Sequence, residues 1–299
     1  MQFIKNPNFD FLGKRKFAYV ISGILVLLGL YIVIFGKVKY GIDFTGGTLV
    51  QIKFDKTIDI GRVRSALGKI GLSKAEIQYF GSNKEVLIKY QRNIDASDIV
   101  KILKKETGLE VCLMRTEKVG PRIGKELQQK AIKAVLIGIF LMLIYISFRF
   151  DFRFGVAAII ALFHDVLVGL GIYTLAGREV NTYIIAALLT IIGYSINDSI
   201  VISDRIRENL RKGRPRKLPG LVDLFNRSLN QTLSRTIITS FTTLLVLIVL
   251  LIVGGPVIFD FAFILAIGVV VGTYSSIFVV ASLVIDWEKL MPYYTKIKV

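Results

Sequence analysis

The stretch "NTYIIAALLTIIGYSINDSIVIS", Asn181 to Ser203, is apolar over most of its length, yet Asn197 and Asp198 interrupt it before it ends. At about 1.5 Å per residue it is long enough as a helix to cross a hydrocarbon core roughly 30 Å thick. Five further runs have the same character: Phe17 to Gly36, Lys133 to Phe148, Gly155 to Ala176, Ile237 to Gly254 and Phe259 to Ile285. With 53% hydrophobic residues among 299 and a mean hydropathy of +0.60, the chain is too apolar for a soluble globule and reads as a multi-pass membrane protein. The first run follows Lys14, Arg15 and Lys16 as the core of a signal peptide would, but no small-x-small cleavage site comes after it, so it reads as a retained anchor.

The net charge of +17 would point to nucleic acid if it formed a patch on a soluble fold. Its location gives another answer. Lys5 and Lys14 to Lys16 precede the first run, and Arg149 and Arg153 separate the second and third. Arg205, Arg207, Arg211, Lys212, Arg214, Arg216, Lys217 and Arg227 separate the fourth and fifth, while Lys289, Lys296 and Lys298 follow the last. The turns on the other side offer Arg178 beside Glu179, and "GGPVIFD" with no base. Positive-inside bias then puts both termini in the cytoplasm and makes nucleic acid an unexpected partner. Cys112 is the single cysteine, so neither an intramolecular disulfide nor a multi-cysteine metal site is open to the chain.

Between the first two runs lie residues 37–128, of different grammar. "TLVQIKF" (Thr48 to Phe54) and "EVLIKY" (Glu85 to Tyr90) alternate with the period of half-buried strands. "DIGRVRSALGKIG" from Asp59 and "DASDIVKILKKETG" from Asp95 each have a capping aspartate, an apolar stripe and a stopping glycine. Adding "EIQYF" (Glu76 to Phe80) and "EVCLMRT" (Glu110 to Thr116) gives the order strand, helix, strand, strand, helix, strand, which suits a ferredoxin-like βαββαβ sandwich. The expected architecture is an all-α bundle of six transmembrane helices with this α+β domain inserted outside the cytoplasm. Its divisions are 1–36, 37–128, 129–285 and a cytoplasmic tail 286–299. No nucleophile with a base, paired acid or phosphate loop stands in the inserted domain, and neither an enzyme nor a bound cofactor or metal is expected. "DFTGGT" (Asp43 to Thr48) lacks dinucleotide-fingerprint spacing and reads as a turn into the first strand.

The intramembrane polar residues carry the functional question. On a helix Tyr194, Asn197, Asp198, Asp204 and Arg205 fall on one stripe, and the spacing puts Asp198 about 9 Å inside the basic end. A carboxylate at membrane depth costs about 2.5–3.5 kcal/mol to insert and by default marks an ion or proton path. In the fifth run Gln231, Arg235, Thr239 and Thr242 or Thr243 share a face, which makes Arg235 the candidate partner of Asp198. Two readings stand side by side: a static pair joining two helices, or an acid that the arginine alternately holds and releases. In the third run His164 and Asp165 point about 100° apart, so each is expected to need its own partner, as relay or as structural bond. Asp260 lies at the far mouth of the last run, where it matters only if it lines the same path. Gly268, Gly272 and Ser276 form a small-xxx-small series for close helix approach, to a neighbour in this chain or another.

"GIDFTGGT" after the first run, "FHD" in the third, "GYSINDSIVISDRIREN" at the fourth and "NQTLSRTIITS" at the fifth, in that order, closely resemble the SecD/SecF family of the resistance-nodulation-division superfamily, over nearly the whole chain. The resemblance implies a subunit of a SecD–SecF complex in the bacterial inner membrane. That complex would use the proton motive force to help preproteins through the SecYEG channel late in translocation, with SecD, a YajC-like accessory subunit, membrane lipid and the translocating preprotein as partners. It also implies that Asp198 and Arg235 are proton-pathway charges, with Asp260 a looser match. The rival readings are half of a small-molecule exporter of the same superfamily and a non-conducting scaffold of the translocon.

Overall fold

The computed structural model describes residues 7–36 and 38–292. Lys5, Lys296, Lys298 and most of the tail lie outside the described residues. The chain divides into two compact units: residues 40–132 with 179–182, and the remainder.

The smaller unit begins with α2 (Ile42–Thr45) and continues through β1 (Gly47–Phe54), α3 (Ile60–Gly68), β2 (Glu76–Phe80), β3 (Ser82–Tyr90), α4 (Ala96–Thr107) and β4 (Val111–Val119). The strands form one antiparallel sheet in the order β2-β3-β1-β4. Alternation along β1 sends Val50, Ile52 and Phe54 to the face covered by Val63 and Leu67 of α3 and Ile99 and Leu103 of α4, all buried. Each such side chain contributes roughly 1.5–3 kcal/mol relative to exposure. Asp59 and Asp95 stand at the N-caps with extended backbone, and α4 stops at left-handed Gly108.

The "DFTGGT" segment is more than a turn. Its first half is the helix α2, and the chain then passes through Gly46 at φ +73° and Gly47 at φ +140°. A Cβ on Gly46 would stand 2.9 Å from Pro121 Cα, and one on Gly47 2.9 Å from the Tyr90 carbonyl oxygen. Conformation and space both require glycine at this pair. Residues 179–182, which the sequence reading left with the membrane helices, fold into this unit. The Gly41 N–H donates to the Val180 carbonyl at 2.9 Å, the Thr182 N–H donates to Asp43 at 2.9 Å, and Glu179 pairs with Lys89.

The larger unit is the helical bundle: α1 (Arg15–Phe35), α5 (Pro121–Arg149, whose first turns belong to the smaller unit), α6 (Phe152–Leu175), α7 (Thr182–Lys212), α8 (Leu218–Val253), and a last span made of α9 (Gly255–Ser275), a π-helical turn (Ser276–Val280) and α10 (Ala281–Leu290). All six spans are long and apolar enough to cross a membrane. Several helices overrun their apolar segments: α7 continues to Lys212 and α8 starts at Leu218, so much of the basic connection is helical. Burial separates the spans. Just over half of the apolar window is buried in α6 and in the last span, and half in α7, against 17% in α1 and α8 and 6% in α5. The interior is therefore built by α6, α7 and α9–α10, and those helices carry most of the buried polar groups.

Basic residues at the helix ends gather at one end of the bundle. Arg207 donates to the Arg149 carbonyl at 2.8 Å, Arg153 pairs with buried Glu288 at 2.8 Å, and Arg15 pairs with Asp286 at 3.1 Å. At that end the N-terminal segment straps across α8. Asn226 accepts from the N–H groups of Phe11 and Leu12, and Asn230 exchanges two 2.9 Å hydrogen bonds with the Phe9 backbone.

A candidate intramembrane proton site

Gly268, Gly272 and Ser276 of the last span face α7 of the same chain. A Cβ on Gly268 would lie 2.4 Å from Ile191, one on Gly272 would lie 3.0 Å from the Ser195 Cβ, and Ser276 meets the Ser199 hydroxyl at 3.0 Å. Residues 191, 195 and 199 thus mesh with 268, 272 and 276 in two matched four-residue series. Small residues let the backbones close, and the close approach brings hydroxyls into reach of a buried acid on the third helix.

That acid is Asp165 of α6, with no exposed surface. One oxygen accepts from the Ser195 hydroxyl at 2.6 Å and the Ser275 hydroxyl at 2.8 Å, and the other lies 2.9 Å from His164 Nδ1. Three helices are pinned to one carboxylate. The expectation that His164 and Asp165 need separate partners is overturned, because the imidazole swings back along the helix surface to its neighbour. The His164 ring lies 6.1 Å from that of Tyr274, and its Nε2 is buried without a hydrogen-bond partner. Ser195 and Ser275 were missed by the sequence reading. The recurrence Ser195, Ser199, Ser203 opposite a glycine series was the signal that would have found Ser195.

Asp198 is in a different state. Its side chain is 3% exposed and its Oδ2 has no hydrogen-bond partner. Among the described residues no ion pair within 4 Å joins it to Arg235, which is itself exposed. The proposed stripe on α7 straddles a boundary: Asn197 faces outward, Asp198 inward, and the Tyr194 hydroxyl is buried without a partner. The hydroxyls beside Arg235 are used locally, since Thr239 donates to the Arg235 and Thr236 carbonyls. Asp260 belongs to neither cluster. It pairs with Arg178 at 2.9 Å at the opposite end of the bundle, where the guanidinium also lies 4.7 Å from the Phe259 ring centre.

A bundle of six helices long and apolar enough to span a membrane, with buried acids on meshed helices and a small antiparallel sheet, defines a multi-pass membrane protein. The family model for the C-terminal region of the protein export membrane protein SecD/SecF matches residues 99–290, and the SecD/SecF GG motif matches 31–58, across the Gly46–Gly47 pair. The protein translocase subunit SecF of Calditerrivibrio nitroreducens is 42% identical over 95% of this chain and 96% of its own, and that of Escherichia coli O157:H7 is 40% identical over 92% and 86%. The crystal structure of SecDF, a translocon-associated membrane protein from Thermus thermophilus, superposes with a TM-score of 0.86 at 42% identity. It aligns with 95% of this chain, which spans 39% of the length of that structure. The chain belongs to the SecD/SecF family of protein-export membrane proteins.

Proposed function

We propose that the chain is the SecF-type half of a SecD–SecF complex that uses the proton motive force to assist late preprotein translocation through the SecYEG channel. SecD is the expected partner because the Thermus relative carries both halves in one chain, of which this protein matches 39%. SecYEG, a YajC-like subunit and the preprotein follow from the family reading, as does a role without catalysis of covalent chemistry. The gathering of basic residues at one end of the bundle supports a bacterial inner-membrane topology with both termini in the cytoplasm and residues 37–128 outside. The β2-β3-β1-β4 order, with α3 and α4 following β1 and β3, supports a ferredoxin-like reading of the smaller unit.

The observation that carries the proton reading is the contrast between two buried acids. Asp165 has its oxygens fully engaged and holds helices together; Asp198, as deeply buried, keeps an oxygen with no donor. A buried carboxylate without a fixed partner is held at a cost, and such groups mark proton or ion paths. In the proposed cycle protonation of Asp198 weakens its attraction to Arg235, and α7 and α8 shift against each other. The motion passes to the sheet unit through the connected helices. Each charge moved through about 100 mV supplies about 2.3 kcal/mol, enough for a few protons to drive an ordinary domain motion. His164 and Asp260 enter as secondary members, the first through its unpartnered Nε2.

The test is secretion of a reporter preprotein in inverted vesicles carrying Asp198→Asn with SecD. The reading expects the gradient-dependent component to vanish with the complex still assembled. Full gradient stimulation would favour the scaffold, and gradient-driven release of small molecules without effect on secretion would favour the exporter half.

A further inference from the structure

The basic end of the bundle holds a pocket of about 980 Å³ between the N-terminal strap, the end of α7 and the start of α8. Its charged lining has both signs: Arg15, Arg205 and Arg227 against Asp10 and Asp223. Arg15 is tied to Asp286 and Arg205 to Glu208, whereas among the described residues neither Arg227 nor Asp223 has an ion-pair partner. Asp10 is fixed as an anion, because the Gly13 N–H and the Asn226 amide both donate to it and hold its carboxyl below the usual carboxylate range. Two unpaired charges of opposite sign, one helical turn apart, are a recognition surface for a molecule that carries both.

What lies above the pocket narrows the molecule further. Along one face of α8, Asp223, Arg227, Asn230 and Ser234 line the pocket at intervals of three or four residues. The same face continues as Ile237, Phe241, Leu245, Ile248 and Ile252, between 40% and 78% exposed. A charged and amide-rich floor thus passes within one turn into an unbroken apolar wall on a membrane-spanning helix. That sequence of chemistries is the profile of a phospholipid from headgroup to acyl chain, and guanidinium groups bind phosphate oxygens through directed hydrogen bonds. A free phosphate would use the arginines alone and leave both the acids and the wall unexplained.

We propose that this pocket holds the headgroup of one aminophospholipid, with phosphate against Arg227 and Arg205, ammonium against Asp223 and Asp10, and an acyl chain along the apolar face of α8. The bound lipid closes the gap between the strap and α8 and so braces the helix that bears Arg235.

The full-length chain is released from membranes into mild detergent and exposed to an equimolar mixture of phosphatidylethanolamine, phosphatidylcholine and phosphatidylglycerol with identical acyl chains. Retained lipid is counted by native mass spectrometry. One phosphatidylethanolamine is expected, at least about tenfold preferred over phosphatidylcholine, whose methylated head cannot donate to the aspartates. Arg227→Gln with Arg205→Gln lowers retention of every phospholipid about tenfold, while Asp223→Asn with Asp10→Asn shifts the preference to phosphatidylglycerol. Equal retention of the three lipids, or retention indifferent to the arginine pair, overturns the proposal. Displacement by millimolar inorganic phosphate overturns it in favour of a small-anion site. Loss of the lipid when SecD is co-purified overturns it in favour of a subunit interface.

Discussion

Ser195 donates its hydroxyl to Asp165 across 2.6 Å, and three residues along the same helix Asp198 keeps an oxygen with no donor. One face of α7 therefore closes the hydrogen bonds of Asp165 at Ser195, and about one turn further on Asp198 keeps an oxygen without one. The two acids are distinguished by what surrounds them, and substitutions at each have different expected results.

Asp165→Ala strands two polar groups, the Ser195 hydroxyl and His164 Nδ1, between the helices, while Ser275 retains the Gly272 carbonyl. Hydrogen bonds to a charged group contribute about 1.5–3 kcal/mol each and a buried orphan costs about 1–3 kcal/mol. Thermal unfolding of the detergent-solubilised protein should therefore drop clearly, while Asp198→Asn, which retains shape, leaves the midpoint close to that of the wild type. Equal midpoints for the Asp165→Ala variant and the wild type would contradict the structural role.

The meshed seam between α7 and α9 makes a steric prediction. Gly268→Ala places a methyl carbon 2.4 Å from Ile191, an overlap that costs about 1–3 kcal/mol. Ile191→Ala should rescue part of that loss, giving a non-additive double-mutant cycle between two residues that are distant in sequence. Strict additivity would mean that the seam does not form.

Asp260 and Arg178 are both partly exposed, so solvent and salt screen the pair. Asp260→Asn should change stability by no more than about 1 kcal/mol, with a difference that shrinks as ionic strength rises. An Asp260→Asn effect on secretion as large as that of Asp198→Asn would make Asp260 a principal rather than a secondary member of the proton path.

The N-terminal strap depends on pH with a defined sign. The folded-state pKa of Asp10 is lowered by the Gly13 N–H and Asn226, so the contribution of its carboxylate is present above the unfolded pKa and is lost as pH falls through the folded one. Limited proteolysis near residues 9–13 should quicken in that acid range, and Asp10→Asn should remove the pH dependence. An unchanged cleavage rate between neutral and acid pH would contradict the contact.

Much of this was legible in the sequence because it rests on periodicity. The six apolar runs, the two-residue alternation of "TLVQIKF" and the helices that follow Asp59 and Asp95 reappear as elements, although α5, α7 and α8 overrun their apolar runs by 9 to 19 residues. What was not legible depends on which helix faces which. Sequence spacing placed His164 and Asp165 on different faces but could not show a side chain turning back to its neighbour. It made Arg235 a candidate for Asp198 without fixing their separation. It identified Gly268 and Gly272 as a contact surface, yet the opposing Ser195 became meaningful only once α7 lay against them. The π-helical turn at Ser276–Val280, next to the Ser275 that reaches Asp165, leaves no signature in hydrophobic pattern.

The central claim is that Asp198 carries protons. Its most direct test is proton flux into vesicles reconstituted with this chain and SecD, comparing wild type, Asp198→Asn and Asp260→Asn under an imposed gradient with a pH-sensitive dye. The account predicts flux in the wild type, flux close to it in Asp260→Asn, and only background leakage in Asp198→Asn. Wild-type flux through the Asp198→Asn protein would contradict it.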